Sequence, residues 1–206
     1  MRFLRGCLIF LALDFLLLLA LAGAAAYFLT RTPSSARGLP PPATSPEQAE
    51  ALQNRLDEFS RELDQANAAG ERNRMSLVIT EEEANSLIAR ELPAFQEENP
   101  QTLPFRMESV QVSFREGKVL AFAIFDLGGL HPRCAVVARI SARGGQPEVE
   151  IEKVELGSLP LLGLVQAWVL RGVQAVETED FPLEIESVQV RDGQVVVEGW
   201  SKPRLR

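Results

Sequence analysis

Cysteine and histidine are nearly missing from this 206-residue chain, which holds two of the first and one of the second. Cys7 lies in an apolar N-terminal run and Cys134 in an apolar strand, so they belong to different layers or sides and cannot staple the fold. Cys134 reads as a small core hydrophobe. A structural or catalytic metal centre needs several Cys or His ligands, and no such cluster exists. His131 sits in a Gly-Gly-Leu-His-Pro turn, where a lone histidine is a surface residue far more often than a base or ligand. No Gly-x-Ser-x-Gly turn presents a serine, and no glycine-rich loop cradles a phosphate. Basic charge is also short. Setting aside Arg2, Arg5 and Asp14, the chain beyond residue 30 carries a net charge of −8, which excludes a nucleic-acid binder.

The carboxylates that abound have structural readings. Glu81, Glu82 and Glu83 open a helix, where negative charge suits the dipole. Glu148, Glu150 and Glu152 alternate with apolar neighbours, as a solvated strand face does. No pair stands as general acid and base. The sequence is that of a protein that is not an enzyme and needs no cofactor.

What is present in excess is apolar sequence at the start. Gly6 to Leu29 is almost unbroken, and as a helix it would reach about 36 Å, enough for a hydrocarbon core of about 30 Å. The expectation is a single-pass transmembrane signal-anchor after a cytoplasmic tail at 1–5. Orientation would leave the domain extracytoplasmic, at the cell envelope. A cleaved signal peptide is the other reading, with Arg2 and Arg5 before the run and Ala22, Ala24 and Ala26 after it. Asp14, inside the run, is either a contact to a partner helix or a tolerated acid near the membrane edge.

Residues 30–45, TRTPSSARGLPPPATS, read as an extended linker with polyproline character. One α+β domain at 46–206 follows. Its first helix starts at Ser45 and Pro46 with Gln48 in the capping-box position, and ends at Gly70. Leu52, Leu56, Phe59 and Leu63 form one stripe, which is either a dimer or partner seam or a face packed on its own domain. A strand at 75–79 leads into a helix that Thr80 and Glu83 cap and Pro93 stops. Strands are expected at 105–115, 118–127, 133–143, 147–156, 183–191 and 194–200, with a helix over 161–178.

Three of these strands share a one-residue slip in their period of two. Phe105-x-Met107-x-x-Val110-x-Val112, Val149-x-Ile151-x-x-Val154-x-Leu156 and Leu183-x-Ile185-x-x-Val188-x-Val190 each predict a β-bulge, since a slip would otherwise turn half the strand inside out. The predicted architecture is a strongly curved antiparallel sheet of about seven strands, packed on the long C-terminal helix and one or two N-terminal helices. The middle strand, Val119 to Phe125, is apolar on both sides and should be covered on both faces.

The stretch from Leu77 to Trp200 resembles the YpmS-like group of uncharacterised bacterial single-pass membrane proteins. The resemblance rests on LVITEEEANSLIARELP, on the ESVQV hairpin, on VEIEKVELGSLPL and on the closing ESVQVRDGQVVVEGW. The group more often has a further proline after the Leu-Pro, where this chain has Leu161-Leu162-Gly163. More distantly the layout is similar to tubular lipid-binding proteins and LmeA-like envelope proteins, which implies a curved sheet holding acyl chains against a helix. Two functions are then open. One is a membrane-anchored module binding a lipid or other hydrophobic ligand in a groove lined by Phe122, Phe125, Val136, Leu164 and Trp168. The other is an interaction or structural module that docks another envelope protein.

Overall fold

A computed structural model of the chain describes residues 23–98, 106–160 and 182–202. Among the described residues, two long helices, α1 (Pro46–Ala69) and α2 (Glu81–Glu98), accompany eight strands, with a helical stretch at 23–30 and a single 3-10 turn at Ser34–Ala36 before them. These are β1 (Arg74–Thr80), β2 (Arg106–Arg115), β3 (Lys118–Asp126), β4 (Arg133–Arg143), β5 (Gln146–Leu156), β6 (Leu159–Pro160), β7 (Leu183–Arg191) and β8 (Gln194–Ser201).

The caps form where the sequence places them. Ser45 Oγ accepts from Gln48 N, Pro46 opens α1, and Gly70 closes it with φ of 75°. At α2 the capping box is complete: Thr80 N donates to Glu83 Oε2 at 2.9 Å, and Glu83 N to Thr80 Oγ1 at 3.3 Å. Arg55 on α1 reaches the same Glu83 carboxylate at 2.7 Å and ties the helices together. Pro93 does not stop α2, which continues to Glu98. The last turn is held instead by Gln96, whose amide docks on the backbone of Met107.

The single curved sheet is corrected to two antiparallel sheets, ordered β2-β3-β4-β5-β6 and β1-β8-β7. β1 takes β8 as its neighbour, so the closing hairpin builds its own sheet. All three slips are accommodated as bulges, at Glu108 in β2, Glu152 in β5 and Glu186 in β7. Their bends fall in two different sheets and do not accumulate into one strong curl. The expected helix over 161–178 lies outside the described residues.

The sheets meet through apolar faces. Leu183, Ile185, Met75 and Leu63 form a buried cluster, with Ala142 of β4, Phe59, Val188 and Val197 packed on it. Leu52 and Leu63 are 2% and 5% exposed, and Leu56 and Phe59 half-buried, so the α1 stripe faces its own domain.

The expectation of a single-pass transmembrane anchor is also corrected: among the described residues, no helix is long and apolar enough to cross a membrane. Residues 6–22 of that span, with Cys7 and Asp14, lie outside the described residues. Residues 23–30 are helical, and their end is docked on the domain, where Ser158 N donates to Phe28 O at 3.0 Å. Gly157 is required there, because a Cβ would stand 2.0 Å from the Phe28 carbonyl oxygen.

The Pro-rich segment expected as a spacer is a strap across the five-stranded sheet. Thr32 Oγ1 accepts from Arg133 on β4 at 2.5 Å. Ser34 Oγ and Ser35 N donate to Glu155 on β5, and Pro40 O accepts from Gln111 on β2 at 3.0 Å. Pro33 and Ala36 of the strap are themselves buried.

Candidate functional site

The five-stranded sheet has two faces of different chemistry, and strand register assigns each residue to one. Across β2, β3, β4 and β5 the rows Val112–Ala121–Val136–Val154 and Val110–Ala123–Cys134–Leu156 are apolar without interruption. Met107 and Phe125 extend this face, and Phe114, Val119, Ala138 and Ile151 continue it toward the hairpin turns. The bulges make this possible. Each inserts one residue so that Met107 and Val110, or Ile151 and Val154, project from the same side. Toward the turns, β7 lies on this face through Ala142. Farther along, Val110, Ala121, Ala123, Phe125, Cys134, Val136 and Leu156 are half-buried. The floor there is made of small side chains, Ala121, Ala123 and Cys134. Burial pushes the Cys134 thiol pKa up, so it is a neutral part of that floor.

Phe125 and Val136, both expected in a groove, share this face. Phe122 does not: it pairs with Gln111 and Ala135 and projects to the opposite side, under the strap. Leu164 and Trp168 lie outside the described residues. The sequence reading missed the small floor, although the register of Ala123 against Cys134 follows once β3 and β4 are aligned.

The strap face is mixed: Gln111, Ser113 and Glu155 are buried there on the same side as Leu120, Phe122 and Ile124. Glu155 is 5% exposed. Burial opposes its charge, but hydrogen bonds from Ser34, Ser35 and Lys153 outweigh it and hold its pKa down at about 2. Ser34 Oγ also accepts from Lys153 Nζ at 2.9 Å, the pairing a serine nucleophile with a lysine base would need. Lys153 Nζ lies equally 2.9 Å from Glu155 Oε1, so the three side chains form a clasp between strap and β5.

A cleft of about 910 Å³ opens at the hairpin turns between Pro40–Pro42, the start of α2 and Asp192-Gly193. Three of its carboxylates are engaged: Glu81 accepts from Phe114 N at 2.9 Å, Asp192 from Glu116 N at 3.0 Å, and Glu83 holds Arg55. His131 contacts Glu108 at 2.9 Å on an exposed edge. Among the described residues no three His, Cys, Asp or Glu side chains group to hold a metal ion.

No family model, curated protein or solved structure matches the chain. The apolar face is therefore weighed on its own geometry.

Proposed function

We propose that the chain is a non-enzymatic binding module that holds an elongated hydrophobic ligand, of the acyl-chain class, on the apolar face of the five-stranded sheet. The observation that carries this reading is the small-residue floor at Ala121, Ala123 and Cys134, bordered by Phe125 and Val136, on a face with no polar side chain across four strands. A long alkyl chain gains roughly 0.8 kcal/mol for each methylene it buries there, with no polar group to desolvate. The α1 stripe offers less support for a docking module, because Leu52 and Leu63 are already buried within the domain.

The test is native mass spectrometry of the full chain purified without detergent, with extraction of copurifying lipid. A stoichiometric phospholipid or isoprenoid mass is expected, and Ala123→Phe, which fills the floor, should abolish it while leaving the thermal transition intact. A clean apo mass with no uptake from phospholipid vesicles would overturn the reading.

A further inference from the structure

The two ends of the five-stranded sheet differ in kind. At one end the turns read Arg115-Glu116-Gly117-Lys118 and Arg143-Gly144-Gly145-Gln146, charged or bare. At the other, the β3–β4 loop presents Leu127 and the β5–β6 turn presents Leu159, 46% and 42% exposed. The helical stretch at 23–30 brings Tyr27 and Phe28 to this same end, 54% and 41% exposed, with their rings edge to face at 5.8 Å. The bond from Ser158 N to Phe28 O fixes its place, and Gly157 N donates to Arg133 O at the start of β4. Leu127 is also held, because its N–H donates to Leu130 O at 2.9 Å while Asp126 Oδ1 accepts from Gly129 N. Among the described residues, four of the six exposed large hydrophobic side chains thus gather at one end of one sheet.

We propose that this end of the domain docks on the surface of a lipid bilayer, with Tyr27, Phe28, Leu127 and Leu159 entering one leaflet. The contact is made by side chains and asks no described element to cross. Three observations select a bilayer over a protein. The four side chains stand on three separate elements, with Leu127 and Leu159 three strand spacings apart, about 14 Å. Fluid lipid accepts such isolated wedges, whereas a protein partner needs a continuous patch. Tyr27 carries the Arg31 guanidinium over its ring at 4.4 Å, an apolar body with a charged head that suits the headgroup boundary. The chain also enters the described structure here, at Gly23, after residues 6–22, in which Asp14 is the sole charged residue. Charge adds little: Arg31, Arg106 and Arg133 stand among Glu98, Glu108 and Asp126 at this end, so the attraction is apolar and needs no anionic lipid. Leu159, paired with Leu156, carries the apolar face out to the docking end. Docking does not rest on a ligand being held on that face.

Site-specific fluorescence tests this in full-length chain carrying Cys7→Ser and Cys134→Ser. A nitrobenzoxadiazole probe is placed on Leu127→Cys, Leu159→Cys or Val78→Cys, one at a time. Val78 is the control, 39% exposed on β1 toward the end where Glu81 accepts from Phe114 N. Phosphatidylcholine vesicles with a doxyl group on the acyl chain should quench the probe and shift its emission to the blue at Leu127→Cys and Leu159→Cys, and leave it unchanged at Val78→Cys. Adding Leu127→Glu to the Leu159→Cys chain should remove most of that quenching and leave the thermal transition unchanged. Probes that stay wet at both tips of a vesicle-bound chain would overturn the proposal, because attachment would then come from elsewhere in the sequence. Equal quenching at all three positions would overturn it as adsorption of an unfolded chain. Copurifying lipid is scored separately. Tip insertion by a lipid-free chain would sustain docking and overturn the ligand reading, and bound lipid without tip insertion would do the reverse.

Discussion

Asn85 and Val112 exchange two hydrogen bonds, side-chain amide to backbone amide, at 2.8 and 2.9 Å. The side chain thus completes the ladder of an edge strand as a neighbouring strand would. Gln96 repeats the arrangement on Met107 at 2.7 and 3.1 Å, and Glu81 accepts from Phe114 N. Asn85 and Gln96 are separated by about 16 Å of helix, which matches the roughly 16 Å of strand between Val112 and Met107.

Asn85 is 2% exposed, so its loss leaves buried backbone groups unpaired. Asn85→Leu should cost about 2–3 kcal/mol. Urea unfolding would measure the loss, and hydrogen exchange should report faster exchange at the Val112 amide.

The strap clasp should make stability acid-sensitive. Glu155 has its folded pKa lowered from 4.5 to about 2. A depressed carboxylate contributes stability that is present above the unfolded value and lost as pH falls through the folded one. Wild type should therefore lose about 3 kcal/mol more than Glu155→Gln between pH 4.5 and 2. Glu83, held low by Arg55, adds the same slope to both proteins and cancels in the difference. Parallel denaturant titrations across that window would check it, and equal slopes would dismiss the clasp.

Two glycines of the closing hairpin should differ sharply. A Cβ on Gly199 would lie 2.4 Å from Glu184 O, forced there by the neighbouring bulge. Gly193 has φ of 78° with open space around it. Gly193→Ala should cost about 1–2 kcal/mol from its left-handed backbone, and Gly199→Ala distinctly more, since backbone must move. Thermal unfolding would rank them.

Deleting Glu186 should be far worse than replacing it. Without the extra residue, Leu183 and Ile185, 2% and 5% exposed, would turn to the outer face. Losing two buried aliphatic side chains costs about 2–5 kcal/mol each, enough to abolish a cooperative transition in a marginal domain. Glu186→Ala should stay within about 1 kcal/mol. A cooperative melt from the deletion variant would show that the bulge is dispensable.

Elements set by local chemistry were legible in the sequence. Ser45, Thr80 with Glu83, and Gly70 act within one helical turn, and the three slips had to become bulges because the apolar face would otherwise reverse. Phe122 and Phe125 stand an odd number of positions apart in one strand, so their opposite faces were readable too, and a groove containing both was inconsistent with alternation. The division into two sheets was not readable, because the pairing of β1 with β8 is a choice between distant strands. Nor was the role of Asn85 and Gln96: an amide that mimics a strand leaves no periodicity. The strap is not legible either, because its composition is that of a linker. Its attachment comes from Arg133, Gln111 and Glu155, far along the chain.

The pairing of first strand with last has a consequence during synthesis. Asn73 and Ser201, which bond across β1 and β8, are 128 positions apart. At 5–20 residues per second, β1 leaves the ribosome on the order of ten seconds before its partner exists. Over that interval both of its edges are open and Met75 and Leu77 have no sheet to enter. The rate of release of the C-terminal hairpin, and not collapse of the N-terminal half, then sets how long nascent chains are exposed to mispairing with one another.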